Sequence, residues 1–588
     1  MSSLLTRLRE RVESWRLGLA AGRSDGILAL LGLLSGLAAG TIIVGFRYTV
    51  SGVQQLYMTG LPPEAFEWVE TSLRVALPTL GGLVLGMAYA LLAERYRTVG
   101  VVHVLERLHY HQGYMPWRNL LVQFFGGALA LASGQSVGRE APSVHLGAAI
   151  ASLMGRRLLL PNNALRTLVA CGAAAAIAAS FNTPLAGVVF AMEVVMAEYT
   201  IAGFVPVILA AVAATAITRA VYGDDTAFLV PLLGLASLWE LVWIVFMGIL
   251  VGVAAAGFVA AIRALGRVGD RIPVALRFTL VGFAVGLVGI AVPEVLGLGY
   301  DTVSATLAGQ LGLFTMGAIF LAKFGASALC IAARMPGGLI GPTVVLGSLA
   351  GGCFATLVEP LPGISSAGAM YAMLGMAAMM GAVLQAPLAA LLALLEMTGN
   401  PHIIMPAMLA VVSASLTARI GFGQESVFTL MLRDAGLDYR HDALSQGLRR
   451  VGVAAVMNRS FERAARQLSR AEAIALLQRG PQWIIVEQSE GRLLLLRAAE
   501  LARFLEADGA SVEGSEEADE AIDLVAMPAE RLELCPVHLQ ATLHEAREVM
   551  NREGVDALYV RRQQAPMTFR TFGVVLRDDV EAGYALRV

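Results

Sequence analysis

Glu140 is the residue whose position most needs a chemical reason. It lies in Ser133-Gly-Gln-Ser-Val-Gly-Arg-Glu-Ala-Pro142, between long apolar segments. A carboxylate in such surroundings is costly and by default functional. A glycine-rich stretch ending in proline builds a helix start. A helix start offers free N–H groups and the positive end of the helix dipole to an anion that has lost its water. At that place an ionised glutamate is the electrostatic equivalent of a bound anion, and a protonated one can leave. The residue types therefore point to a gate, and to a proton carrier. The plain alternative is a helix cap, or an ion pair with Arg139. A second stretch, Met335-Pro-Gly-Gly-Leu-Ile-Gly-Pro342, has the same makeup and offers a second helix start.

The elements that must hold these two starts are apolar. Hydrophobic types make up 57% of the 588 residues, charged types 15%, and mean hydropathy is +0.67. Soluble domains sit near 45–50% apolar and about 25% charged, so this chain needs lipid as solvent and is no soluble binding module. Its 62 glycines suit closely packed transmembrane helices. The net charge of −2 argues against nucleic acid as a partner. Cys171, Cys330, Cys353 and Cys535 lack the spacing of a zinc site or disulfide framework, so no metal is expected. No nucleophile–base pair stands out, so no enzyme is expected.

Apolar segments run over Gly26–Val44, Leu73–Leu92, Leu120–Ala132, Ala164–Ala179, Phe204–Ile217, Leu241–Ala261, Phe278–Val292, Leu313–Ala333 and Met405–Ala418. A simple span needs about 20 residues. Many of these are shorter, or broken by Gly and Pro, which predicts discontinuous helices whose ends meet inside the bilayer. The breaks recur. Pro142-Ser-Val-His-Leu-Gly147 returns as Pro342-Thr-Val-Val-Leu-Gly347, and Pro184-Leu-Ala-Gly187, running on to Glu193, returns as Pro387-Leu-Ala-Ala390, running on to Glu396. Gly172 and Gly375 share that second offset. Two related halves, about 25–223 and 239–438, follow. Transporter halves of this kind bind substrate at their interface near the midplane.

Residues 1–24 form a basic segment with Arg7, Arg9, Arg11, Arg16 and Arg23, without a signal-peptide pattern. Such a leader favours a cytoplasmic N-terminus. After about Tyr439 charges become dense. Leu468–Leu505 reads helix, strand Gln482–Val486, turn at Ser489-Glu-Gly, strand Leu493–Leu496, helix. His538–Leu586 reads helix Leu543–Glu553, strand Ala557–Val560, strand Phe572–Leu576, helix. Two α/β units fit a soluble cytoplasmic domain over 450–588, joined by the acidic stretch Glu506–Ala521.

Gly138-Arg139-Glu140-Ala141-Pro142 resembles the Gly-Lys/Arg-Glu-Gly-Pro signature of the CLC chloride channels and transporters. Gly338-Leu339-Ile340-Gly341-Pro342 resembles the Gly-x-Phe-x-Pro signature of that family, and Phe181-Asn-Thr-Pro-Leu-Ala-Gly187 and Leu395-Glu-Met-Thr398 are typical of it. The resemblance covers essentially the whole chain, with a tail of paired CBS-type modules. It implies a polytopic α-helical membrane protein, an inverted repeat with broken helices, followed by a tandem CBS-like domain. It implies a homodimer in the plasma membrane with both termini cytoplasmic and a separate chloride pathway in each subunit. Glu140 would be the gating glutamate. Gly138, Arg139, Glu140, Ala141, Leu339, Ile340 and Gly341 would surround the anion, chiefly with backbone amides.

The departures carry as much weight. The family's Gly-Ser-Gly-Ile-Pro motif falls on Thr98-Val99-Gly100-Val101-Val102. Val99 stands where the anion-touching serine belongs, or Thr98 after a one-residue slip. Ile340 replaces the signature Phe, and Phe428 replaces the inner Tyr. Each neutral hydrogen bond lost is worth roughly 0.5–1.5 kcal/mol, so weaker anion binding and an easily passed inner gate are expected. Val194 stands where proton-coupled members carry a second glutamate after Glu193, which favours passive conductance over chloride/proton exchange along another route. Glu193 and Glu396 read as structural, as do His145 and the methionines Met373, Met376, Met379 and Met380; Lys323 snorkels or pairs. In the tail, Gly573-Val-Val-Leu-Arg-Asp-Asp579 keeps the Asp of an adenine-nucleotide site, but Leu576 replaces its hydroxyl. A structural, dimer-stabilising tail without cofactor is the default. A membrane sensor with a vestigial pore is the reading from another class.

Overall fold

A computed structural model describes residues 15–20, 25–58, 65–199, 201–224, 226–228, 230, 233–361, 366–437, 447–488, 492–511, 521–565 and 568–585. The arginines at 7, 9, 11 and 23, the boundary at 438–439, the turn at 489–491 and residues 512–520 of the acidic stretch lie outside the described residues. The chain forms two compact units. One holds Leu28–Leu158 and Leu165–Tyr439; the other holds Met1–Ile27, Leu159–Ala164 and Arg440–Val588.

In the first unit, nine helices among the described residues are long and apolar enough to cross a membrane. The first runs on past Val44 to Gln55. Two central helices, Ile340–Val358 and Gly368–Leu384, were not among the expected apolar segments. The first breaks its aliphatics with four glycines, and the second is mostly Gly, Ala and Met. They are also among the most enclosed elements, and small residues are what enclosure on all sides requires. A Cβ on Gly172 of the helix Asn162–Phe181 would stand 2.1 Å from the Gly147 carbonyl oxygen. In the other half, a Cβ on Gly375 would stand 2.2 Å from the Gly347 carbonyl oxygen. The same close crossing is made twice, at the positions the repeat matches.

Two short helices, Pro184–Phe190 and Pro387–Thr398, begin with the repeated proline. The first continues as a π-helical turn over Ala191–Met196. Each half caps the other. Glu193 accepts from the backbone N–H of Ala389 at 2.8 Å and Leu388 at 3.3 Å, and Glu396 accepts from Ala186 at 2.8 Å and Leu185 at 3.0 Å. A carboxylate at a helix start satisfies orphan donors and faces the positive end of the dipole, a structural task for both.

In the second unit, two modules each run strand, helix, strand, strand, helix. The first uses β1 (Phe461–Ala465), helix Arg470–Gln478, β3 (Trp483–Glu487), β4 (Leu493–Arg497) and helix Ala498–Ser511. The second uses β6 (Arg531–His538), helix Leu543–Glu553, β7 (Ala557–Ala565), β8 (Thr568–Leu576) and helix Arg577–Ala585. One sheet of order β1-β3-β4-β6-β7-β8 spans both, and β2 (Gln467–Leu468) pairs with β5 (Ile522–Asp523). β1 lies parallel to β3 and β6 parallel to β7, while the modules join through antiparallel β4 and β6. β1 and β6 went unseen in the sequence because neither alternates cleanly: β1 is a half-exposed edge strand and β6 carries Pro536. The same unit takes in the segment Leu159–Ala164. The Asn162 amide nitrogen Nδ2 donates to the Glu545 carboxylate at 2.9 Å, and Asn163 Nδ2 to the Arg450 and Leu19 carbonyls at 3.1 Å.

Candidate anion site

The two repeated loops meet. The Gly138 N–H donates to the Gly338 carbonyl at 2.7 Å and the Gly338 N–H to the Gly138 carbonyl at 2.6 Å, an isolated antiparallel bridge. One helix starts two residues after each member of the pair, Glu140–Arg157 and Ile340–Val358. Pro142 and Pro342 lie in the first turns, where the missing N–H would have had no helical partner. Two helix starts therefore converge on one point. A Cβ at Gly138 would stand 2.0 Å from Oε2 of Glu140 and so would displace the carboxylate, while one at Gly338 would also stand 2.9 Å from the Ala141 backbone nitrogen.

A third start reaches the same place. The helix Gly100–Tyr110 opens at Gly100, whose φ of +83° excludes ordinary side chains, and a Cβ there would stand 3.8 Å from Cβ of Ala141. The residue preceding this helix is Val99. Thr98 is exposed, and its carbonyl accepts from Asn119 Nδ2 at 3.0 Å. The register thus puts an apolar side chain, not a hydroxyl, at the third start. Phe428 is buried near the beginning of the helix Val427–Asp434, which packs against Gly100–Tyr110.

Glu140 is 0% exposed. Its own N–H and that of Gly341 face the carboxylate. Oε1 accepts from the Tyr300 hydroxyl at 3.2 Å, while Oε2 has no hydrogen-bond partner among the described residues. The ion-pair alternative is not realised. Arg139 donates through Nη2 to the Ser180 carbonyl at 3.0 Å, and its guanidinium lies 5.5 Å from the Tyr300 ring and 5.9 Å from that of Phe181. Leu339, Ile340 and Ala141 are buried around the bridge. Thus Gly138, Glu140, Ala141, Gly341 and Gly100 come together. Val194 lies elsewhere, half-buried on the π-helical turn. Asp579 is in the other unit, where its carboxylate accepts from the Leu576 N–H at 2.9 Å and caps a helix.

Tyr300 is the site residue that sequence reasoning missed. Its signal was available: Gly297-Leu-Gly-Tyr-Asp301 is a glycine-broken stretch ending in two polar residues amid apolar segments. His145 packs as a satisfied ring on one side. Arg107 Nε donates to His103 Nε2 at 3.0 Å, so His103 must donate from Nδ1 to His145 Nε2 at 2.8 Å. Lys323 pairs rather than snorkels, with its Nζ on the carbonyls of Val295 and Gly297.

The sequence pattern described as Voltage gated chloride channel matches residues 81–419. A putative chloride channel protein, ClcB-like, from Ralstonia nicotianae is 32% identical over 415 residues, covering 69% of this chain and 95% of that one. The H(+)/Cl(-) exchange transporter ClcA of Vibrio cholerae is 32% identical over 327 residues, 54% of this chain and 70% of that one. Among solved structures, a slow cyanobacterial Cl-/H+ antiporter superposes with a TM-score of 0.61 at 23% identity, covering 69% of this chain and 97% of that one. A eukaryotic CLC transporter does so with 0.62 at 19% identity, covering 94% and 97%. These likenesses give the fold: membrane helices arranged as in CLC proteins, with a CBS-pair-like α/β domain after them. On sequence and architecture together, the chain belongs to the CLC family of voltage gated chloride channels and transporters.

Proposed function

We propose that this protein conducts chloride passively, through one pathway in each subunit of a homodimer, and that Glu140 gates the pathway. The observation that carries the reading is the Glu140 carboxylate, fully buried where three helix starts converge. Donors that receive a carboxylate oxygen there can receive a chloride once Glu140 swings away. Passive flow is favoured by Val194, which cannot carry a proton, and by Phe428 and Val99, which offer the anion no hydroxyl. The protein would sit in the plasma membrane with both termini in the cytoplasm, and its tail would work without a nucleotide, since Asp579 is engaged as a cap. Exchange of chloride for protons is the second reading, favoured by similarity to proteins named as exchangers.

Chloride efflux from liposomes holding the pure protein, recorded together with external pH, separates the two. Chloride release without proton movement, even against an imposed gradient, is the expected result. Protons moving in fixed ratio to chloride would replace passive conductance with exchange. Absence of chloride flux would favour the sensor reading. Glu140→Gln is expected to raise flux and remove its pH dependence.

A further inference from the structure

The loop that leads into Tyr300 is fixed from several sides. It runs over 292–299, between the helices Val274–Ala291 and Tyr300–Leu307. Lys323, on the helix Leu313–Ala332, is fully buried and donates through Nζ to the Val295 carbonyl at 3.1 Å and the Gly297 carbonyl at 2.8 Å. The Gly297 N–H in turn donates to the Gly134 carbonyl at 3.2 Å, in the loop that ends at Glu140. Of the 43 Lys and Arg residues, Lys323 is the sole lysine. An ammonium is a compact donor that fits between two carbonyls, whereas a guanidinium is a broad planar fork. A chain that otherwise uses arginine for its cations has a lysine at the point where a small donor is required.

What the loop delivers is a hydroxyl. The Tyr300 ring meets Phe228 edge-on at 5.7 Å and lies 6.3 Å from the Phe181 ring. Its oxygen stands 3.2 Å from Oε1 of Glu140, with Gly341 close behind. A hydroxyl bonds an ionised carboxylate about twice as strongly as a neutral acid. We infer that Tyr300 is the latch of the gate: it donates to ionised Glu140, holds the carboxylate in the anion's place, and releases it on protonation. Lys323 is a positioning residue that keeps the hydroxyl within reach. The inference rests on the gate reading of Glu140 and adds what sets its pH dependence.

Among the described residues, the charged groups facing this pair are Arg139 from the Glu140 loop, Lys323 behind the Tyr300 loop, and Asp301 beside Tyr300. Glu67 and Glu294 cluster with Asp301. All of them persist in Tyr300→Phe, which also keeps the ring and its packing, so a change in that variant belongs to the hydroxyl. The test is chloride efflux against pH in liposomes holding wild type, Y300F, K323M, E140Q and the Y300F/E140Q double variant. Y300F is expected to be faster at neutral pH, with its activation midpoint about one unit higher, as loss of one hydrogen bond to a charged group implies. K323M is expected to shift the midpoint the same way. Y300F is expected to add nothing to E140Q. An unshifted Y300F profile, with E140Q free of pH dependence, would overturn the latch and leave the gate standing. An E140Q profile like that of wild type would overturn both. An unshifted K323M profile would remove Lys323 from the mechanism, and Y300F decides the latch even if K323M does not fold.

Discussion

Glu140 was legible because its type and surroundings disagree: a carboxylate amid glycine, alanine and aliphatics has no cheap structural use. Gly138 was legible from the glycine-rich stretch that holds Glu140, and Gly338 and Gly341 from the second such stretch, Met335 to Pro342. Tyr300 was not, since a tyrosine at the end of a loop fits many environments and its contact with Glu140 spans 160 residues of chain. Val99 was ambiguous until the helix start at Gly100 fixed the register. That register yields a prediction. Val99→Ser would place a hydroxyl at the third helix start, so chloride affinity measured by calorimetry on the pure protein should rise about two- to tenfold, the worth of one neutral hydrogen bond. Unchanged affinity would mean that this side chain does not reach the anion.

At the scale of elements, the sequence showed where helices break better than where they run. The breaks carry Gly and Pro, which have strong local meaning. The enclosed helices Ile340–Val358 and Gly368–Leu384 are apolar all round, so neither shows a stripe. Glu193 and Glu396 matched in the repeat, which made them structural, but their crossed pairing was not readable because it is made between halves. Glu396→Ala would strip the carboxylate from the Leu185 and Ala186 N–H groups. The expected loss is about 1–3 kcal/mol, for the Ala186 donor left buried and unsatisfied, since Leu185 is exposed. It should appear as a lower midpoint of thermal unfolding in detergent, while the pH dependence of chloride flux in the protein that remains folded stays that of wild type.

For the molecule as a whole, composition alone separated the lipid-facing part from the charged tail. It did not show that Leu159–Ala164 belongs with the tail, since polar contacts on two asparagines leave no periodic trace. Within the tail, Arg466 bonds Asp523 at 2.9 Å across the short ribbon of β2 and β5. The guanidinium, and then the Val525 N–H, hold the Asp523 carboxyl below its usual range. A carboxyl with a depressed folded-state value stabilises above its unfolded value of about 3.9 and loses that contribution as pH falls through the folded value. Limited proteolysis of the full chain should therefore cut the tail faster below about pH 4. Asp523→Asn should be cut faster at neutral pH and respond less to acid.

The crossed capping of the two halves also bears on how the chain is made. Leu185 and Ala186 leave the ribosome 211 residues before the carboxylate that receives one of them. At about 5–20 residues per second that interval is roughly 10–40 s. Through it the first half must wait in the membrane with a helix start unsatisfied, held by water, lipid headgroups or an insertion factor. The second half is then not an independent copy laid beside the first. It completes the first, and a nascent chain stopped before Glu396 should persist as an unfinished bundle exposed to membrane proteases.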